Sequence, residues 1–118
     1  SDEEKFHVLD RLASSSNLWE QRIAMVSTLT PIRHGDFRHV LRYAEQLLFH
    51  DHDLIHKAVG WMLREAGKKD ITILRAFLKK YHATMPRTTL RYAIERMGKD
   101  ERESWMRKTT SLDTKATP

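Results

Sequence analysis

The chain has 118 residues, 40% apolar and 31% charged, with 21 Lys and Arg against 16 Asp and Glu, no Cys, 4 Gly and 3 Pro. That is one domain's worth of polypeptide with enough apolar side chains to bury a core, so wholesale disorder is excluded and roughly two-thirds of the unfolded surface should be buried. No run approaches the roughly 20 apolar residues that span a bilayer, the opening Ser1-Asp2-Glu3-Glu4 is unlike a signal peptide, and the lack of Cys excludes disulfide scaffolds, zinc fingers and thiol nucleophiles, so the expected location is cytoplasmic.

Apolar residues recur at spacings of three and four rather than two, which predicts helices throughout. The first covers residues 3–13, with Phe6, Leu9, Leu12 and Ala13 on one face, and ends at Ser14-Ser15-Ser16. Asn17 is placed to cap a second helix, and Glu20 to return the bond in a capping box. Leu18, Trp19, Ile23, Val26 and Leu29 form its expected apolar stripe, Trp19 reads as core, and the helix should stop before Pro31. Gly35-Asp36 marks a turn and cap, followed by a third helix over 37–49 with Val40, Leu41, Ala44, Leu47 and Leu48 inward.

A fourth helix opens after Asp53, buries Leu54, Ile55, Ala58, Val59, Met62, Leu63 and Ala66, and should end at Gly67 as the C′ residue. Asp70 caps a fifth over 71–81, with Ile73, Leu74, Phe77 and Leu78 buried. Pro86 precedes a sixth over 87–97, burying Leu90, Ala93, Ile94 and Met97 and closed by Gly98. A last amphipathic piece runs from Lys99 to about Lys108 and contains Trp105. The expected organisation is one helical domain over 1–108 and a flexible tail over 109–118. Helices of this length with short links suggest an all-α fold of antiparallel helix pairs stacked side by side, a helical repeat or small bundle.

Charge is unevenly spread. Residues 1–56 carry 6 basic and 9 acidic side chains, whereas residues 57–108 carry 14 and 6. A basic half of this kind suits a polyanion partner, and equally a solvated helical surface.

Three places do not read as plain core or surface. Arg22 lies on or beside the second helix's apolar stripe, where a guanidinium needs either a carboxylate in the fold or a phosphate met on a concave surface. On the fourth helix, Lys57, Trp61 and Arg64 share a face, and an aromatic ring beside cations suits sugar, base and phosphate. Gly60, next to Trp61, leaves room for a ligand or eases a helix crossing. The segment His50-Asp51-His52-Asp53 with His56 resembles a metal set, but two of its imidazoles fall in a linker and its aspartates serve as helix caps, so no metal is expected. No Walker loop, GxGxxG, HExxH or Ser-His-Asp order is present.

Three segments in order resemble the DNA alkylation repair family, the AlkD-type HEAT-repeat alkylpurine DNA glycosylases. They are Ser16-Asn17-Leu18-Trp19-Glu20-Gln21-Arg22-Ile23-Ala24, then Lys57-Ala58-Val59-Gly60-Trp61-Met62-Leu63-Arg64-Glu65-Ala66-Gly67-Lys68-Lys69, then Met85-Pro86-Arg87-Thr88-Thr89-Leu90-Arg91-Tyr92-Ala93-Ile94-Glu95. The resemblance implies a HEAT-like α-α superhelix whose basic concave face holds duplex DNA containing alkylated purines, and hydrolytic release of 3-methyladenine or 7-methylguanine without a cofactor or metal. It implies that Arg22 and Trp61 line the cleft as catalytic-site residues, and that Arg64 and Lys57 contact DNA phosphates. The family's catalytic Asp stands one turn after a cleft Trp on an upstream helix, and no segment here matches it: Asp10 lacks the neighbouring Trp. The chain is therefore expected to be the C-terminal half of a longer protein, with self-association through its first helix a consequence of a missing half. The other reading is a non-catalytic HEAT-like module for nucleic acid or protein.

Overall fold

Side chains that bond backbone amides start three of the helices. The computed structural model describes residues 2–107, so the expected tail lies outside the described residues. Within them are eight helices: α1 (Asp2–Ala13), α2 (Leu18–Val26), α3 (Leu29–Arg33), α4 (Arg38–Leu47), α5 (Asp53–Lys69), α6 (Ile71–Tyr81), α7 (Arg87–Ile94) and α8 (Lys99–Met106). The Asn17 carboxamide accepts from the amides of Trp19 (2.9 Å) and Glu20 (3.1 Å) and so starts α2. Glu20 does not close a capping box; its carboxylate takes the Ser15 hydroxyl at 2.5 Å. Asp70 starts α6 by accepting from the Thr72 amide at 3.0 Å.

Four boundaries differ from the sequence reading. The second helix breaks at Ser27-Thr28, where the buried Thr28 hydroxyl donates to the Met25 carbonyl at 2.7 Å, and Pro31 sits inside α3. A proline in a helix's first turn forfeits no intrahelical bond. α5 runs through Gly67 to Lys69, because Leu74 packs where a side chain at 67 would stand. Gly98 is the N-cap of α8 rather than the end of α7, and His52 rather than Asp53 caps α5.

α5 is the hub, packing against α2, α3, α4, α6 and α7. It lies between α2 and α7. α1 packs chiefly on α2, and side chains tie α4 to α1 and to α6: Phe6 stacks on His39 with ring centroids 3.4 Å apart, Asp10 receives the Tyr43 hydroxyl and the Arg42 guanidinium, and Glu45 holds Lys80 at 3.1 Å and the Tyr81 hydroxyl. α8 is clipped on by Arg87, which donates to the carbonyls of His82, Met85 and Met106 at the ends of α6 and α8.

The core follows the expected stripes of α1 and α4 to α7, with Tyr43 and Thr89 added to it. α2 is the exception. Its inner side is Ala24 and Met25, with Leu18 and Val26 half-buried, whereas Trp19 and Ile23 are 63% and 50% exposed. Gln21 fixes this rotation, donating to the Ser15 carbonyl at 2.7 Å and accepting from His50 at 2.8 Å.

The closest approach in the fold is between α5 and α7. A Cβ on Gly60 would stand 2.5 Å from the Tyr92 Cβ and 2.6 Å from the Thr89 carbonyl oxygen, and the Thr89 hydroxyl donates across the same seam to the His56 carbonyl at 3.1 Å. Gly60→Ala should therefore destabilise the fold by about 1–3 kcal/mol through overpacking, outweighing the roughly 1 kcal/mol that alanine gains in helix propensity. Urea unfolding of the two proteins reads this, and a variant as stable as the parent would show that the seam yields.

Candidate nucleic-acid interface

Arg22 occupies the middle of α2 and is half-buried. Among the described residues it has no hydrogen bond and no ion pair, so the carboxylate partner that such a guanidinium calls for does not come from them. Its neighbours Trp19 and Ile23 stand out into solvent, so Trp19 is not core. The second face is on α5, where Lys57, Trp61 and Arg64 recur at four and three residues. Trp61 is half-buried with its body against the core, and α5 packs directly on α2.

The flanking cations are not free. Lys57 reaches Asp53 at 3.2 Å, and Arg64 reaches Glu95 at the end of α7 at 3.1 Å. Both carboxylates are well exposed, 58% and 62%, and pairs of that kind contribute about 0–1 kcal/mol, so a phosphate competes with them at little cost. Gly60 does not make room for a ligand, since the space beside it holds the backbone of α7. The structure thus brings the four sequence-predicted residues onto two adjoining helices.

One contributor was missed from the sequence. Arg91 stands exposed on α7, one turn before Glu95, and thus beside the carboxylate that holds Arg64. The excess of basic residues after position 57 included it without assigning it a face.

The other candidates are used structurally. His50 receives the His52 amide on Nδ1 and donates from Nε2 to Gln21, His52 accepts the Leu54 amide, and His56 donates to the His50 carbonyl. Among the described residues no three His, Asp or Glu side chains are grouped to hold a metal ion. Asp10 takes both Tyr43 and Arg42 on one carboxylate oxygen. Burial would raise its carboxyl, but those two partners outweigh it and hold it below the usual range.

Residues 1–97, from α1 through the turn after α7, match the family model of the DNA alkylation repair enzymes. The chain belongs to that family. Membership supports a role in DNA repair and a DNA substrate. No curated protein and no solved structure matches the chain. No helix among the described residues is long and apolar enough to cross a membrane.

Several acids share the electrostatic condition of Asp10. The Arg38 guanidinium lowers Asp36 to about 2, Tyr81 and Lys80 lower Glu45, and Arg75 with Trp105 lowers Glu101. His39 shifts down because burial disfavours its cation, even beside Asp36. In both cases the unfolded chain binds the proton first. Stability should therefore fall with pH in two stages, the first below the ordinary histidine value of 6.5 and the second from the ordinary carboxylate values of 3.8 and 4.5 down towards 2. The carboxylate partners are largely exposed, so the second stage should be shallow. A melting-temperature series in pH checks this, with His39→Gln removing only the upper stage; a melting temperature constant through the histidine range would contradict it.

Proposed function

We propose that this family member binds duplex DNA carrying alkylated purines across the face formed by α2 and α5, as part of an alkylpurine DNA glycosylase. The observation that carries the reading is Arg22, a half-buried guanidinium without a partner among the described residues, on a helix packed against the one that bears Trp61. A phosphate supplies the missing counter-charge and accepts a paired fork of N–H bonds. Trp61 stands on the adjoining α5, and an alkylated purine is itself cationic, so the face of an indole ring attracts it. Lys57 and Arg64 exchange their exposed carboxylates for neighbouring phosphates. Contacts of this kind fix the duplex without reading its sequence.

Base release requires charge complementary to the oxocarbenium-like sugar that forms as the purine leaves, which a carboxylate supplies. Asp10 is committed to Tyr43 and Arg42, and this favours a division of labour in which the described helices hold DNA and the carboxylate comes from elsewhere. A non-catalytic DNA-binding module is the second reading that the same commitment supports.

Arg22→Ala tests the interface. It should weaken binding to a short duplex about tenfold, the worth of a charged hydrogen-bonded contact, and reduce the slope of log affinity against log salt by about 1. Its melting temperature should stay near the parent's, because no internal ion pair is lost. Equal affinity in parent and variant, or no binding at low salt by the parent, would reject the reading. Base release from a methylated duplex by the same protein separates the glycosylase from the binding module.

A further inference from the structure

The stripe on α5 does not stop at Arg64. Positions 57, 61, 64 and 68 follow one another at helical spacing, so Lys68 continues the line of Lys57, Trp61 and Arg64 along the same face. Beyond it lies a cavity of about 360 Å³ where α5, α6, α7 and α8 meet. Four cations line it, Arg64 and Lys68 of α5, Arg75 of α6 and Arg96 in the turn after α7, against one carboxylate, Glu101.

That carboxylate is already spent. Glu101 takes two bonds from Arg75, at 2.9 and 3.0 Å, and a third from the Trp105 indole at 3.0 Å. Lys68 is only loosely held, 3.5 Å from Glu65, and Arg64 gives one nitrogen to Glu95. Arg96 is exposed and has no partner among the described residues. Like charges crowded around a concavity repel one another and focus a positive field into it, which an entering anion relieves.

The N-cap of α8 adds to this field. Gly98 lines the same cavity and leaves the first turn of α8 without a side-chain cap. Its φ of −64° is open to any residue, and a Cβ there would meet nothing within 4 Å. Neither conformation nor crowding calls for glycine. What glycine leaves is a set of first-turn amides with no side-chain cap bond, in a turn that also carries Asp100 and Glu101.

We propose that this cavity is a phosphate-binding site, and that its occupant is a backbone phosphate of the duplex held on α2 and α5. The occupant, though not the site, rests on the preceding reading of that face. Seven residues separate Trp61 from Lys68, about 10 Å along the axis, so the cavity extends the interface past the cleft instead of duplicating it. Arg64 stands between the two and serves both. A free phosphate ion presents the same chemistry and is separated by experiment.

The test uses the full chain and two probes. Inorganic phosphate, titrated against chloride at constant ionic strength, should give saturable shifts of the amide resonances of Gly67, Gly98 and Lys99. Gly98→Asp places a rival carboxylate on the first turn of α8 and should abolish those shifts while the melting temperature holds or rises, since aspartate is a better cap. Arg96→Ala should weaken them. With a short duplex, the double variant Lys68→Ala and Arg96→Ala should lower the salt slope by about 1 to 2, additively with Arg22→Ala. Phosphate shifts without an effect on duplex binding would overturn the backbone occupant and leave a site for the free ion. Absence of both effects would overturn the site. Failure of the parent to bind duplex would sink the interface reading and the backbone occupant together, with the phosphate titration alone deciding the cavity.

Discussion

The rest of the structure depends on how closely α5 and α7 approach. Gly60 brings the backbone of Thr89 and the Cβ of Tyr92 to within 2.6 Å of where its own side chain would begin, and Thr89 secures the seam with a hydrogen bond to α5. At such a separation the helices behave as one rigid body. Every other element of the core is arranged on it. α2, α3, α4 and α6 pack on α5 as well, and the half-buried faces of Trp61 and Arg64 are fixed by what surrounds them rather than by their own side-chain freedom. A helix held this tightly can present a stripe of cations in one register, which flexible lysines on a loosely packed helix would not do.

Much of this was legible in the sequence, because the signals are strong where apolar spacing is regular and caps are polar. The stripe Ile55, Ala58, Val59, Met62, Leu63 and Ala66 is one face of one helix, and Asp70 before an apolar run is a cap; both stand in the structure as read. α2 was misread for a physical reason. Apolar identity pointed to Trp19 and Ile23 as the inner face, but the helix is oriented by polar bonds that apolar counting does not see, from Gln21 to Ser15 and His50. The result is that the largest side chain of α2 stands in solvent next to Arg22. Pro31 misled in the same way, since a proline ends a preceding helix and equally opens the next.

Spacing along the helix showed which candidate residues share a face, but not which of them are already paired. Periodicity places Lys57, Trp61 and Arg64 on one face, yet it does not say that Asp53 and Glu95 come to meet two of them. Glu95 lies on α7, so that pairing is set by the α5–α7 seam and not by spacing along a helix. Gly60 shows the same limit, because one residue type serves both ligand access and helix crossing, and only the neighbour across the seam decides which.

The distribution of partners divides the basic residues into two kinds. Arg42, Arg75, Lys80 and Arg87 are consumed in joining elements, three of them through carboxylates and Arg87 through the carbonyls at the ends of α6 and α8. Arg22, Arg91 and Arg96 have no such task among the described residues, and Lys57, Arg64 and Lys68 are held by carboxylates that are exposed or distant. The first kind stabilises the fold and would be lost to any ligand only with its joint. The six residues of the second kind lie on α2, α5 and α7 and the turn after α7, joined through α5, while other exposed cations such as Arg11, Arg33 and Lys79 lie on α1, α3 and α6. Positive charge on α5 and in the turn after α7 is not needed to hold the protein together, and because α5 is fixed by its neighbours that charge is held in one register, which is the physical basis for offering it to a polyanion.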